Sequence, residues 1–198
     1  MDYVKEMIKF FNEMARTKRM QPHTLFSEMI ELTYDRQKSL PIHHRKIKAD
    51  EVLDFSLLFA GAMLNNPFRD VLGEVLHELN AANKKGLGQC MTPPDISYLL
   101  GKLASRYKAQ NQHCFDGDEL KIGDDCGCGC GTGALVLTQL EHLNLSEHKK
   151  VLVRFVDIHE VMLKAAYLQI NANIALHMSE DIDFKLMPIC ANTLTLQY

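Results

Sequence analysis

Apolar positions change their period near the middle of the chain. Over roughly the first hundred residues they recur every three or four positions, the spacing of one buried helical face. Val4, Met7, Ile8, Phe11 and Met14 predict a helix over Val4–Arg16. A second is expected over Thr24–Tyr34, with His23 and Thr24 near its cap, before a loop at Leu40–Lys48. Ala49-Asp50 offers an N-cap to a helix over Glu51–Leu64. Asn65-Asn66-Pro67 breaks that helix and Phe68–Leu79 begins another, followed by a polar loop at Asn83–Gly88. Pro93-Pro94 reads as a stop, and Asp95 as the cap of a helix over Asp95–Tyr107.

Beyond that point short apolar runs alternate with helical periods. Strands are predicted at Leu120–Gly123, Val151–Val156 and Phe184–Cys190, and helices at Gly133–Leu143 and Val161–Ile174. Strand-helix-strand-helix-strand implies a parallel sheet with right-handed crossovers. The fold class is therefore α/β. A helical N-terminal region over residues 1–85 precedes a partial Rossmann-like sheet over residues 86–198, half of a doubly wound sheet.

Composition narrows the class without naming it. Hydrophobic residues make up 46% and charged residues 24% of the 198, the balance of a soluble globular protein. The longest apolar run, near Phe55–Leu64, is far short of the ~20 residues a membrane span needs. Nothing near Met1 reads as a signal peptide. Six cysteines stand at 90, 114, 126, 128, 130 and 190, three of them alternating with glycine. That arrangement suits thiols rather than disulfides, and a cytoplasmic setting. Residues 1–50 hold ten Lys/Arg against seven Asp/Glu, whereas residues 111–198 hold six against twelve. The basic footprint of a dedicated nucleic-acid binder is weak here and N-terminal.

The chemistry concentrates in LKIGDDCGCGCGTGALVL, Leu120–Leu137. A strand feeds alternating glycines, Gly127, Gly129, Gly131 and Gly133, and a helix follows. Glycine lets the backbone come close to a ligand, and the first-turn N–H groups of the helix face it. Two ligand classes fit. Gly129, Gly131 and Ala134 match G-x-G-x-x-A, a dinucleotide fingerprint that would make the protein an NAD-dependent oxidoreductase. Asp125 to Gly131 matches the D-x-G-x-G-x-G turn of S-adenosylmethionine (SAM) enzymes. Asp157 ends the second strand, 24 residues after Gly133, where an acid reaches ribose hydroxyls. The plainer role of Asp157 is to cap the next helix. The Cys126, Cys128, Cys130 run lacks the paired knuckles of a structural zinc site, so no metal is expected. His43-His44 reads as a surface pair.

GLGQCMTPPDISYLLGKL, Gly86–Leu103, resembles the G-Q-F-F-T-P segment of N6-adenine DNA methyltransferases, above all the modification subunits of type I restriction systems and their short plasmid- or phage-borne relatives. NPFRDVLGEVLHELNAANKKG is similar to the helical lead-in of that group. CGTGALVL stands where the family has C-G-x-G-G-x-L, VDIHEVMLKAAYLQINANIALH resembles its second motif, and ICANTLTLQY its closing G-N-T-L. The resemblance implies SAM as cofactor, with Thr92 and Pro93 flanking the methionine end and Gly127 to Gly133 passing beneath carboxylate and sugar. It implies Asp157 on the ribose, Ile158 against the adenine and Asn192 at the adenine edge. Three departures accompany it. The acid before C-G-x-G falls on Gly127, leaving Asp124 or Asp125 to serve. Cys90 and Met91 replace the phenylalanines. The Asn/Asp/Ser-Pro-Pro-aromatic tetrapeptide that captures the target base is missing: the one Pro-Pro pair is Pro93-Pro94, preceded by Thr92 and followed by Asp95. The expected function is thus a SAM-binding, adenine-methyltransferase-like protein that binds DNA weakly alone and needs a second methyltransferase or specificity subunit, with no identifiable catalytic residue of its own. The rival is a non-catalytic partner or decoy of restriction–modification machinery.

Overall fold

The computed structural model describes residues 1–41, 46–81, 92–110, 115–116, 119–123, 129–143 and 148–192. The chain divides into two compact units. One comprises Met1–Asn66 and Val71–Met91, the other Pro67–Asp70 and Thr92–Tyr198.

The first unit is helical: α1 (Tyr3–Lys18), α2 (Pro22–Gln37), α3 (Ala49–Asn65) and α4 (Val71–Ala81). Its core is aromatic. Phe11 meets Phe26 and Phe55 at centroid distances of 5.5 and 5.7 Å, and Phe55 stacks on Phe59 at 6.0 Å. Phe11, Phe26 and Phe55 are fully buried. Asp2 caps α1 by accepting the Lys5 N–H at 3.3 Å, and Pro22 opens α2 at a position where its missing N–H is harmless.

Three predicted helix starts are corrected: α2 begins at Pro22 with Gln21 at the cap position, so His23 and Thr24 lie inside its first turn. Helix α3 begins at Ala49, and the cap position is Lys48, whose N–H donates to Glu51 Oε2 at 2.7 Å. Helix α4 begins at Val71 rather than Phe68, because Phe68 is left-handed (φ 58°) and cannot join a right-handed turn. The apolar spacing of Phe68 with Leu72 is real, but the backbone there serves another purpose, described below.

The second unit contains α5 (Pro94–Gln110), β1 (Phe115–Asp116), β2 (Glu119–Ile122), α6 (Ala134–His142), β3 (Lys150–Asp157), α7 (Glu160–His177) and β4 (Asp183–Cys190). Strand order is β1-β2-β3-β4; β2, β3 and β4 are parallel, and the two-residue β1 adds an antiparallel edge that no periodicity announces. Ile122 pairs with Val153, Val151 with Phe184 and Asp157 with Cys190. Pro188 sits in β4, which pairs only with β3 among the described strands, so its lack of an N–H is tolerated. The core joins Leu120, Ile122, Val151, Val153 and Phe155 of the sheet to Val136, Leu137 and Leu140 of α6 and Ala165, Ala166 and Ile170 of α7.

Pro93-Pro94, read as a stop, is a start. Pro94 is the first residue of α5, and the Pro93 carbonyl accepts the Ile96 and Ser97 N–H groups, both at 3.0 Å. Asp95 therefore lies inside the first turn, where its charge suits the helix dipole. Among the described residues no helix is long and apolar enough to cross a membrane.

Candidate functional site

Strands β3 and β4 end together at Asp157 and Cys190, and the glycine turn is sewn onto the end of β3. The Cys130 N–H donates to the Val156 carbonyl at 2.7 Å, and the Gly131 N–H to Asp157 Oδ2 at 2.7 Å. The chain then closes on itself, Gly133 N–H to Cys130 carbonyl at 2.9 Å, before α6 begins. Gly133 is the N-cap at φ 97°, a conformation that side chains resist, and a Cβ there would also come within 3.2 Å of Ala166. At Gly129 the constraint is space: a Cβ would stand 2.6 Å from Asp157 Oδ2. The alternating glycines thus let a buried carboxylate lie directly against the turn.

Asp157 is 6% exposed. Its other oxygen, Oδ1, accepts the His159 N–H at 2.8 Å. The helix-cap reading is corrected in detail: the cap position of α7 is His159, and Asp157 braces the residue that occupies it. Each carboxylate oxygen offers two acceptor sites, so these two N–H bonds leave capacity for further donors. The Asp157 carbonyl receives the Ala191 N–H at 3.0 Å and the Ile158 carbonyl the Cys190 thiol at 3.7 Å, which draws the end of β4 to the same place. Ile158 is 60% exposed, as an apolar wall for a planar ligand must be before the ligand arrives. Asn192 is exposed two residues past β4.

The structure therefore brings Gly129, Gly131, Gly133, Asp157 and Ile158 to one edge, with Asn192 just beyond the neighbouring strand end. Thr92 and Pro93 precede α5, and among the described residues no hydrogen bond ties them to the glycine turn. Asp125 and Gly127 lie outside the described residues, as do Asp124, Cys126, Cys128, the Gly86–Met91 segment and His43-His44. The half-buried Cys130 thiol donates to the Gly131 carbonyl at 3.4 Å.

Four residues of this neighbourhood form a network that the motifs containing them do not announce: Asp70 in NPFRDVLGE, Thr132 in CGTGALVL, and Gln169 and Asn173 in VDIHEVMLKAAYLQINANIALH. The Thr132 hydroxyl donates to Asp70 Oδ2 at 2.7 Å. Gln169 Nε2 donates to Asp70 Oδ1 and to the Thr132 carbonyl, both at 2.8 Å. One turn along α7, Asn173 Nδ2 donates to the Gln169 carbonyl at 2.8 Å while its Oδ1 accepts the Phe68 N–H at 2.6 Å. Gln169 and Asn173 are fully buried and Thr132 is 1% exposed. Two amides four residues apart on an otherwise apolar helical face are the sequence signal for this network.

No protein-family model matches this sequence, and no curated protein matches it. Among solved structures, a candidate class I S-adenosylmethionine-dependent methyltransferase from Listeria monocytogenes superposes with a TM-score of 0.54 at 15% identity. The match covers 99% of this chain and 55% of the other, so the chain spans about half that protein's length. The fold is accordingly that of the class I SAM-dependent methyltransferases, represented in part.

Proposed function

We propose that this chain binds SAM at the carboxyl edge of its sheet and serves N6-adenine DNA methylation of the restriction–modification type together with a second polypeptide. The observation that carries the SAM reading is the Asp157 carboxylate, buried at the end of β3 and pressed against Gly129 where no side chain fits. Residues present suit the ligand. Asp157 has acceptor capacity left for the two ribose hydroxyls, Ile158 offers an exposed apolar surface for the adenine, and the turn N–H groups opening α6 supply donors for polar atoms. Thr92, Pro93, Asp125, Gly127 and Asn192 complete the site by their resemblance to the family motifs. SAM brings an already activated methyl group, so the protein's task is positioning rather than acid–base chemistry.

The DNA-adenine assignment rests on the order of the GLGQCMTPP, CGTGALVL, VDIHE and ICANTL segments. A second reading, a non-catalytic partner of the same machinery, is favoured by one observation: the chain's single Pro-Pro pair opens α5 and is therefore a helix start, not a base-capturing loop.

Calorimetric titration with SAM, S-adenosylhomocysteine and NAD tests the cofactor. Binding of the two adenosyl ligands with weaker or absent binding of NAD is expected. Preference for NAD would replace the methyltransferase reading with an oxidoreductase one.

A further inference from the structure

We infer that Asp70 is a positioning residue for the cofactor turn, an inference that rests on the SAM reading above. The turn is held from two sides. From the strand end, Asp157 takes the Gly131 N–H; from the other side, Asp70 takes the Thr132 hydroxyl. Asp70 reaches this place because Pro67–Asp70 belongs to the α/β unit, although it stands between two helices of the other. The left-handed Phe68 bends the segment, and Asn173 anchors it through the Phe68 N–H.

The bonds converge on Thr132, and that convergence is what makes them a clamp. Gln169 Nε2 has two protons, one given to Asp70 and one to the Thr132 carbonyl, so both donors are used. Asp70 and Gln169 hold the hydroxyl and the carbonyl of the same residue. Thr132 can then neither rotate its side chain nor tilt its peptide plane. That peptide leads directly into Gly133 and the first turn of α6, whose N–H groups have no partner within the helix. Fixing Thr132 fixes the direction in which those donors point. Fully buried amides add little net stability over apolar packing, but a satisfied buried network selects one geometry. Gln169 and Asn173, facing a short segment 99 and 105 residues away in sequence, fit the second role.

The test compares Asp70→Ala, Thr132→Val and Thr132→Ser in the full chain. Valine keeps the shape of threonine and deletes the hydroxyl; serine keeps the hydroxyl. SAM affinity is expected to fall about tenfold in Asp70→Ala and in Thr132→Val, the scale of one lost hydrogen bond to a charged group. Thr132→Ser should stay within about twofold of the unmodified chain, and the Asp70→Ala/Thr132→Val double variant should be no weaker than Asp70→Ala alone, because Asp70→Ala already breaks the Thr132 bond. Amide exchange of Gly131 to Leu135 is measured in parallel without ligand. It should accelerate in Asp70→Ala and Thr132→Val while β3 amides keep their protection. If the unmodified chain binds SAM and folded Thr132→Val binds it equally well, with unchanged exchange in the turn, the clamp is refuted. If the unmodified chain does not bind SAM, the cofactor reading fails, and the ligand-free exchange still decides whether Asp70 holds the turn. Should Asp70→Ala not fold, the valine and serine variants carry the comparison.

Discussion

Asp157 and Gly131 are 26 residues apart in sequence and joined by a 2.7 Å hydrogen bond from the glycine's N–H to the carboxylate. That bond attaches the glycine turn to the end of β3, so the carboxylate proposed to bind the ribose also holds the turn in place. In the proposed site, position and recognition reside in one side chain.

Replacing Asp157 with alanine should therefore reduce both binding and stability. The Gly131 and His159 N–H groups lose their acceptor in a buried place, at about 1–3 kcal/mol for each group left unsatisfied. SAM affinity should fall by a similar ~1–3 kcal/mol through the lost ribose contact. Urea unfolding and calorimetry measure the two separately. Weakened stability with unchanged affinity would reduce Asp157 to a brace.

Gly129→Ala should act on the same carboxylate from the opposite direction. Its methyl group would stand 2.6 Å from Asp157 Oδ2, too close to be accommodated without displacing one of them. A destabilisation of about 1–3 kcal/mol is expected, the usual range for overpacking. SAM binding should weaken as well. An alanine variant with unaltered melting temperature and affinity would show that the turn yields freely at this point.

In the helical unit, Phe55→Ala should be among the most damaging substitutions. Phe55 is fully buried and touches both Phe11 and Phe59. Loss of about 3–5 kcal/mol is expected for truncating a buried phenylalanine. Hydrogen exchange resolved to α1 and α3 would register it, and near-native protection there would contradict the packing described.

On its own, the 198-residue polypeptide should transfer no methyl group to DNA. Capture of an adenine amine needs paired acceptors and a ring to stack on the extruded base, the stack alone contributing about 1–3 kcal/mol. The sequence contains no Asn/Asp/Ser-Pro-Pro-aromatic tetrapeptide. A tritiated-methyl assay on duplex and single-stranded DNA checks this. Turnover by the isolated chain would show that another group, with Asn192 the first to substitute, performs the capture.

The sheet was legible because its signals are local. VLVRFV is too short and too continuously apolar for an amphipathic helix, and the strands it pairs with, ELKI and DFKLMPIC, are likewise short runs between helical periods, so the α/β order is readable from the sequence. The glycine turn was legible because few other structures require glycine at every second position. What the sequence concealed is long-range. Phe68 fits the apolar spacing of α4 and yet is left-handed, because its N–H is claimed by Asn173, 105 residues away. Lys48 as a helix cap depends on Glu51 reaching back to its N–H, which no cap preference anticipates. Asp70 stands in NPFRDVLGE, a segment that resembles a helical lead-in and says nothing of a contact with the glycine turn. Thr132 and Gln169, which it bonds, lie 62 and 99 residues away, and hydrogen bonds at that separation leave no periodic trace.

The placement of Pro67–Asp70 bears on how the molecule can be taken apart. The chain passes between its two units three times, after Asn66, after Asp70 and after Met91. A fragment begun at residue 86 or 92 would carry the glycine turn, all four strands and Asp157 while omitting the segment that answers Gln169 and Asn173. Gln169 would lose its bond to Asp70, and Asn173 its bond from the Phe68 N–H. The α/β unit is thus discontinuous in sequence, and its smallest independent version is a chimera in which residues 67–70 are rejoined to residue 92 onward.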